Sequence, residues 1–228
     1  MQCRISPSLM CMDLMNIKEQ LMFFNQHADF LHVDIMDGHF VKNITLSAFF
    51  IEQIKPYTCI PIDVHLMVEN PTDFIDQMAN AGADFICPHA ETINTNAFRV
   101  INHIHQLNKK VGVVINPATP IEYISQYIHL LDKITVMTVD PGYAGQPFIP
   151  EMLEKIRKLS ELKKKNSFKF LIEVDGSCNI NTYQQLLSVG AEVLIMGSSG
   201  LFKKNLSLEN AWQKMSFDIN NAAKNINQ

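Results

Sequence analysis

The sequence predicts a single-domain (β/α)8 TIM barrel over residues 1–228. Three observations carry the prediction. Short apolar runs alternate with longer segments of helical period, the alternation repeats eight times, and no strand leads into the GxGxxG turn of a dinucleotide-binding sheet. Uninterrupted alternation of this kind means parallel strands joined by crossover helices, and eight units are enough to close a ring.

The elements follow in order. Residues 5–9 read as the first strand and 14–26 as a helix, with Asp13 placed to cap it. A strand at 30–35 precedes a helix around 47–55. A strand at 62–67 follows, and Pro71 opens a helix to residue 80, where its missing N–H costs nothing. Residues 84–88 are strand-like and 95–107 helical. The fifth strand, 110–115, is followed by a helix at 120–127. The sixth, 133–138, runs through a Gly/Pro loop into a helix at 150–163. The last units pair strand 168–174 with helix 181–188, and strand 193–196 with a helix from 208 to about 221. The polar stretch from about residue 220 predicts a frayed tail.

The hydrophobic content of 47% supplies a sizeable core. The charged content of 18% is below the ~25% of an average domain, which predicts extensive burial in the fold or in a subunit contact. A net charge of −4 argues against nucleic-acid binding, which needs a basic face. An anionic small molecule is compatible with it, because backbone dipoles hold phosphate on acidic proteins. Cys3, Cys11, Cys59, Cys87 and Cys178 are odd in number and form no CxxC pair. They predict buried or inert thiols in a reducing compartment. No apolar stretch approaches the ~18 residues of a membrane span, and the first residues lack the layout of a secretory signal. A cytoplasmic protein with no membrane partner is expected.

In a parallel barrel the chemistry sits at the C-terminal strand ends. His32 and Asp34 are two apart on the second strand, so the pleat points both to one side. If that side is the interior, they converge with His65 at the end of the third strand. Asp175, at the end of the seventh, completes a set of two imidazoles and two carboxylates suited to a divalent transition ion. The second and seventh strands are three steps apart around the ring, so Asp34 and Asp175 approach a flat ligand from opposed faces. Epimerisation beside a ketone needs that arrangement: one carboxylate removes the proton and the other returns one. As pure metal ligands the two aspartates would need no such opposition.

Glycine-bearing loops supply the other end of a substrate. Gly142, Tyr143, Ala144 and Gly145 follow the sixth strand, Gly176 and Ser177 the seventh, and Gly197, Ser198 and Ser199 the eighth. Backbone N–H groups in such loops cradle a phosphate. Met36, Met67 and Met137 lie beside the strand ends, as gap-fillers or as a dry wall. His89 and Glu91 follow the fourth strand within reach of the site, but as lone polar residues they read first as loop contacts. Of the remaining histidines (His27, His39, His103, His105, His129), only His39 lies near the mouth.

The segments Ser6-Pro7-Ser8, His32 through Phe40 (HVDIMDGHF), Asp63 through Met67 (DVHLM), Asp140-Pro141-Gly142 and Glu173 through Gly176 (EVDG) together resemble the ribulose-phosphate 3-epimerase family. The likeness runs over nearly the whole chain. It implies metal ligation by His32, Asp34, His65 and Asp175, with Asp34 and Asp175 as the acid/base pair. It also implies substrate contacts at Ser8, His65 and the glycine loops, one divalent ion per subunit (Zn, Mn, Fe, Co or Mg), and a homo-oligomer acting on a ketose phosphate. Within the family, SPSLMCMD, ETIN, TVDPGYAGQPFIPEML, EVDGSCN and GSSGLF look closer to members acting on D-allulose 6-phosphate, interconverted with D-fructose 6-phosphate. D-Ribulose 5-phosphate, converted to D-xylulose 5-phosphate, is the alternative. Lys42 departs from the family's usual proline and is expected to loosen its loop, and Pro88-His89-Ala90-Glu91 departs from its usual strand-4 reading.

Two other readings compete. A decarboxylase or aldolase on a related barrel would need an Asp-x-Lys cluster at a strand end, and none is present. A catalytically silent phosphate-binding barrel would exchange no solvent deuterium into a substrate.

Overall fold

A computed structural model describes residues 3–226. Its strands are β1 Arg4–Pro7, β2 Leu31–Met36, β3 Ile62–Met67, β4 Phe85–Pro88, β5 Lys110–Ile115, β6 Lys133–Met137, β7 Leu171–Asp175 and β8 Val193–Met196. Every paired strand is parallel, and they run in the order β1-β8-β7-β6-β5-β4-β3-β2. A parallel bridge between Ser8 and His32 joins β1 to β2 and brings the two ends of the sheet together. The barrel expected from the alternation is the fold found.

The helices are α1 Ile17–His27, α2 Ala48–Ile54, α3 Ile75–Ala81, α4 Ala90–Ile93, α5 Ala97–Gln106, α6 Met152–Asn166, α7 Tyr183–Ser188 and α8 Leu208–Ile226. Their apolar stripes cover the outward side of the strands. In α5 the stripe is Ala97, Val100, Ile101 and Ile104, a helical spacing that buries one face, while Arg99 and His105 stay outside it. The helix stops at Asn108, which takes a left-handed φ of 58° that asparagine tolerates better than most residues. Truncating Ile101 to alanine would cost about 2–5 kcal/mol.

Both β2 and β3 are buried at every position. A ring buried on both sides accounts for this, but the two sides differ in chemistry. Val33, Ile35, Val64 and Leu66 join the large apolar cluster with the helices. The alternate residues, His32, Asp34, Asp63 and His65, contact one another instead. A smaller cluster of Phe30, Phe85, Cys87, Val114, Met137, Val139 and Val193 is separate from that large core.

Four local expectations are corrected. Asp13 is not the cap of α1: its carboxylate accepts from the Met15 N–H at 3.0 Å and the Asn16 side chain at 2.6 Å, and Asn16 precedes the helix. Pro71 opens a single 3-10 turn, Pro71–Asp73, and the α-helix starts only at Ile75. The helix expected at 120–127 is replaced by 3-10 turns at Ile121–Ile124 and Ile128–Leu130. Its buried residues Ile121, Ile124 and Tyr127 recur every three positions, the period of a 3-10 turn. The tail expected to fray from about residue 220 continues α8 to Ile226, because Ala222 prolongs the buried row of Ala211, Met215 and Ile219.

Candidate active site

Strand register assembles the site. In the β2–β3 pair, His32 stands beside Asp63 and Asp34 beside His65. In the β6–β7 pair, Met137 stands beside Asp175. His32 Nε2 lies 3.3 Å from Asp34 Oδ1 and 3.9 Å from Asp175 Oδ2. His65 Nδ1 lies 3.3 Å from Asp34 Oδ1 and 3.5 Å from Asp175 Oδ2. One ligand atom from each of His32, Asp34, His65 and Asp175 falls within 4.8 Å of the others.

Two observations say that this set fits a metal ion. His32 Nε2 and His65 Nδ1 are buried and make no hydrogen bond, which is costly unless a ligand takes their lone pairs. Two nitrogens and two carboxylates also form a donor set that divalent transition ions accept. Each imidazole is fixed from behind. His32 Nδ1 faces Asp63 Oδ2 at 2.8 Å, and His65 Nε2 faces His89 Nε2 at 2.8 Å. A histidine ligand held by a partner at its other nitrogen keeps its tautomer and orientation.

The charges reinforce one another. Burial by itself would raise the Asp34 carboxyl, but His32 and His65 outweigh it and hold it well below the usual carboxylate range. Burial opposes a charged His32, yet Asp34 and Asp63 raise it well above an ordinary imidazole. The Ser8 hydroxyl donates to Asp34 Oδ2 at 2.8 Å, leaving Oδ1 turned to the two histidines.

Above the cluster lies an open cavity of about 540 Å³, its mouth included. The expected substrate contacts Ser8, Gly142, Tyr143, Ala144 and Gly145 line one part of it, and Gly176, Ser177, Gly197, Ser198 and Ser199 another. Asp34 and Asp175 also line it, with side chains 4% and 19% exposed. Met36, Met67 and Met137 are buried in its wall. His65, expected among the substrate contacts, is fully buried and is absent from the cavity lining.

Lys42 does not leave its loop loose. The Tyr143 hydroxyl donates to the Lys42 carbonyl, and the Asn43 amide donates to the Gly142 carbonyl at 2.8 Å, so the loops after β2 and β6 are tied across the mouth. His89 is a correction, being fully buried against His65 and not a loop contact. Phe40 packs on its ring at 4.5 Å, and its Nδ1 lies 3.4 Å from Glu91 Oε2. Of the five free cysteines, Cys87 and Cys178 are buried, Cys3 and Cys11 are partly buried and Cys59 is exposed. Met10 and Cys11 line the cavity beside the loop that ends in Gln146 and were not anticipated, nor was the layer of Asp63, Lys133 and Glu173 beneath. The pleat carried a signal for that layer, since Asp63 and Glu173 stand two residues before His65 and Asp175 and therefore face the same side.

No helix among the described residues is long and apolar enough to cross a membrane.

Similar proteins place the fold and the family. Solved barrels of low identity share the fold, among them KGPDC from Streptococcus mutans (TM-score 0.72, 14% identical, 96% of this chain and 98% of that one). Ribulose-phosphate 3-epimerase from a Synechocystis strain is 38% identical over 197 residues, 86% of either chain. The Bacillus subtilis protein of that name is 38% identical over 198 residues, covering 86% of this chain and 91% of its own. The Methanocaldococcus jannaschii protein is 35% identical over 226 residues, covering 99% and 90%. Residues 4–202 match the Ribulose-phosphate 3 epimerase family as a whole. With the barrel, the strand-end cluster and these relatives in agreement, the chain belongs to the ribulose-phosphate 3-epimerase family and is an epimerase.

Proposed function

We propose that the chain interconverts D-ribulose 5-phosphate and D-xylulose 5-phosphate by proton transfer at C3 between Asp34 and Asp175. The observation that carries this reading is the placement of the two carboxylates. They come from strands on either side of the β1–β8 pair and meet at one donor cluster beneath an open cavity. One removes the C3 proton, and the other delivers a proton to the opposite face of the planar enediolate. His32, Asp34, His65 and Asp175 would hold a divalent ion (Zn, Mn, Fe, Co or Mg), which when bound supplies Lewis-acid stabilisation of negative charge on the sugar.

Around that step the chain's own groups bind and orient. Ser8 fixes the Asp34 carboxylate through its hydroxyl. The loops carrying Gly142 to Gly145, Gly176–Ser177 and Gly197 to Ser199 offer backbone N–H groups to the phosphate. Met36, Met67 and Met137 keep water from the face where the proton is exchanged. A homo-oligomer belongs to the same reading, and the outward Met15, Ile44 and Phe49 (89%, 73% and 67% exposed) offer apolar surface for one.

The segments that resemble members acting on D-allulose 6-phosphate suggested a hexulose. The relatives above are named for ribulose phosphate, and they favour the pentulose. The deciding experiment compares kcat/KM for D-ribulose 5-phosphate and D-allulose 6-phosphate on metal-reconstituted protein, with deuterium wash-in at C3. A preference for the hexulose would reverse the choice of sugar, and absence of wash-in from both would overturn the reaction.

A further inference from the structure

Below the four-residue cluster, the barrel floor holds a lysine with no access to solvent. Lys133 opens β6 and is fully buried. Its ammonium sits against Asp63 Oδ1, 2.9 Å from Glu173 Oε1 and 5.0 Å from the centre of the Phe85 ring. Asp63 Oδ1 also accepts from the Cys87 thiol at 3.1 Å, and Glu173 Oε1 from the Thr135 hydroxyl at 2.8 Å. Lysine is almost never fully buried unless paired, so a residue placed here is held by these carboxylates.

The neighbours of Lys133 make the arrangement more than a structural ion pair. His32, Asp63 and Glu173 bring ligand atoms within 4.8 Å of one another, a grouping that could itself hold a cation. The ammonium supplies that positive charge from the chain. The remaining oxygen of Asp63, Oδ2, lies 2.8 Å from His32 Nδ1.

We propose that Lys133 is a positioning residue that fixes the tautomer of His32 through Asp63. An ammonium has donors and no acceptor. With Oδ1 ion-paired to the Lys133 ammonium and accepting from the Cys87 thiol, Asp63 meets His32 as an acceptor, and the shared proton stays on Nδ1. The Nε2 lone pair is then directed at the gap between Asp34 and Asp175, where a metal ion would take it. His65 receives nothing from this relay, because its outer nitrogen faces His89. Loss of Lys133 should therefore disturb one of the two imidazoles and spare the other, a selectivity that general destabilisation would not produce.

The inference rests on the metal reading of the site, and the test separates the two. Long-range 1H–15N spectra of metal-free protein, recorded at a pH above the raised His32 value where the ring is neutral, report the tautomers of His32 and His65 directly, and titration with Mn2+ alone reports affinity. Wild type should show the proton of His32 on Nδ1. Lys133→Met should mix the His32 tautomers, leave His65 unchanged and raise the Mn2+ Kd about 10–100-fold, the usual effect of losing an outer-shell partner. That variant leaves Glu173 buried without its cation, so Lys133→Met combined with Glu173→Met provides a fold-preserving version. It should show the same His32 change and the same loss of affinity. A wild-type His32 with its proton on Nε2 would overturn the proposal. So would a folded double variant with an unchanged His32 signal and an Mn2+ Kd within twofold of wild type. Correct tautomers in a wild type that binds no Mn2+ would overturn the metal reading while leaving the relay in place.

Discussion

His65 Nε2 lies 2.8 Å from His89 Nε2, so the two buried imidazoles share one proton along that line. Burial pushes His89 down to about 4, so it is a neutral ring at physiological pH. With its Nδ1 turned to Glu91 Oε2, His89 offers its Nε2 lone pair and accepts from His65. The inward Nδ1 of His65 is thereby left free for the cluster. His89→Phe should raise the Kd for Mn2+ about 10–100-fold, measured by calorimetry on folded protein. An unchanged Kd would remove His89 from the metal centre.

Glu91 ties the same relay to acid stability. Burial alone would raise its carboxyl, but the nearby His89 ring and the hydrogen bond from the Thr119 hydroxyl hold it at about 2. A carboxyl lowered in the folded state stabilises the fold above its unfolded value, and that contribution is lost as pH falls through the folded one. Glu91→Gln should therefore cost roughly 1 kcal/mol at pH 7, a figure discounted for the group's partial exposure. The difference from wild type should shrink between about pH 4.5 and pH 2. Urea melts across that range measure it, and a constant gap would show that the carboxylate is not involved.

Asp34→Asn and Asp175→Asn should each lower kcat by about 10²–10⁴, the range typical of a general acid or base, while circular dichroism stays that of a folded barrel. A tenth of the wild-type rate in either variant would be too much for a proton-transferring group. Extraction of metal with a chelator should abolish turnover, and re-addition of a divalent ion should restore it. A full rate in metal-free protein would remove the metal ion from the mechanism.

Two glycines of the proposed phosphate end should respond differently. A Cβ on Gly197 would meet only Cys11 Sγ at 3.5 Å, so Gly197→Ala should leave KM within about twofold of wild type. Gly197→Asp places a negative charge at the same spot and should raise KM at least about tenfold by repelling the phosphate. Gly176 has φ +117°, and a Cβ there would lie 2.9 Å from the Val139 backbone nitrogen. Gly176→Ala should therefore lower both Tm and kcat/KM. Steady-state kinetics and thermal melts separate the two cases. An unchanged KM in Gly197→Asp would move the phosphate elsewhere.

Much of this architecture is legible locally. Eight strand–helix units follow from hydrophobic periodicity, a property of neighbours in the chain. The pairing of His32 with Asp34, and of Asp63 with His65, follows from the two-residue pleat, again within one strand. Even the layer of Asp63 and Glu173 is written in the same spacing. The 3-10 turns at Ile121–Ile124 and Ile128–Leu130 were harder to read, because an apolar residue every third position suits a 3-10 turn and also satisfies much of a helical pattern.

The sequence by itself determined which residues share a face of a strand; the tertiary structure decided which faces meet. Ring closure through Ser8 and His32, and the register that sets Asp34 beside His65, join residues far apart in the chain. No local period encodes those contacts. The same long-range packing buries His89 behind His65 and seats Lys133 between Asp63 and Glu173. It also ties Tyr143 to Lys42 across the mouth and holds α8 down to Ile226. The identity of Asp34 and Asp175 as a pair was readable from strand ends, while the partners that fix their neighbouring imidazoles exist only once the barrel has closed.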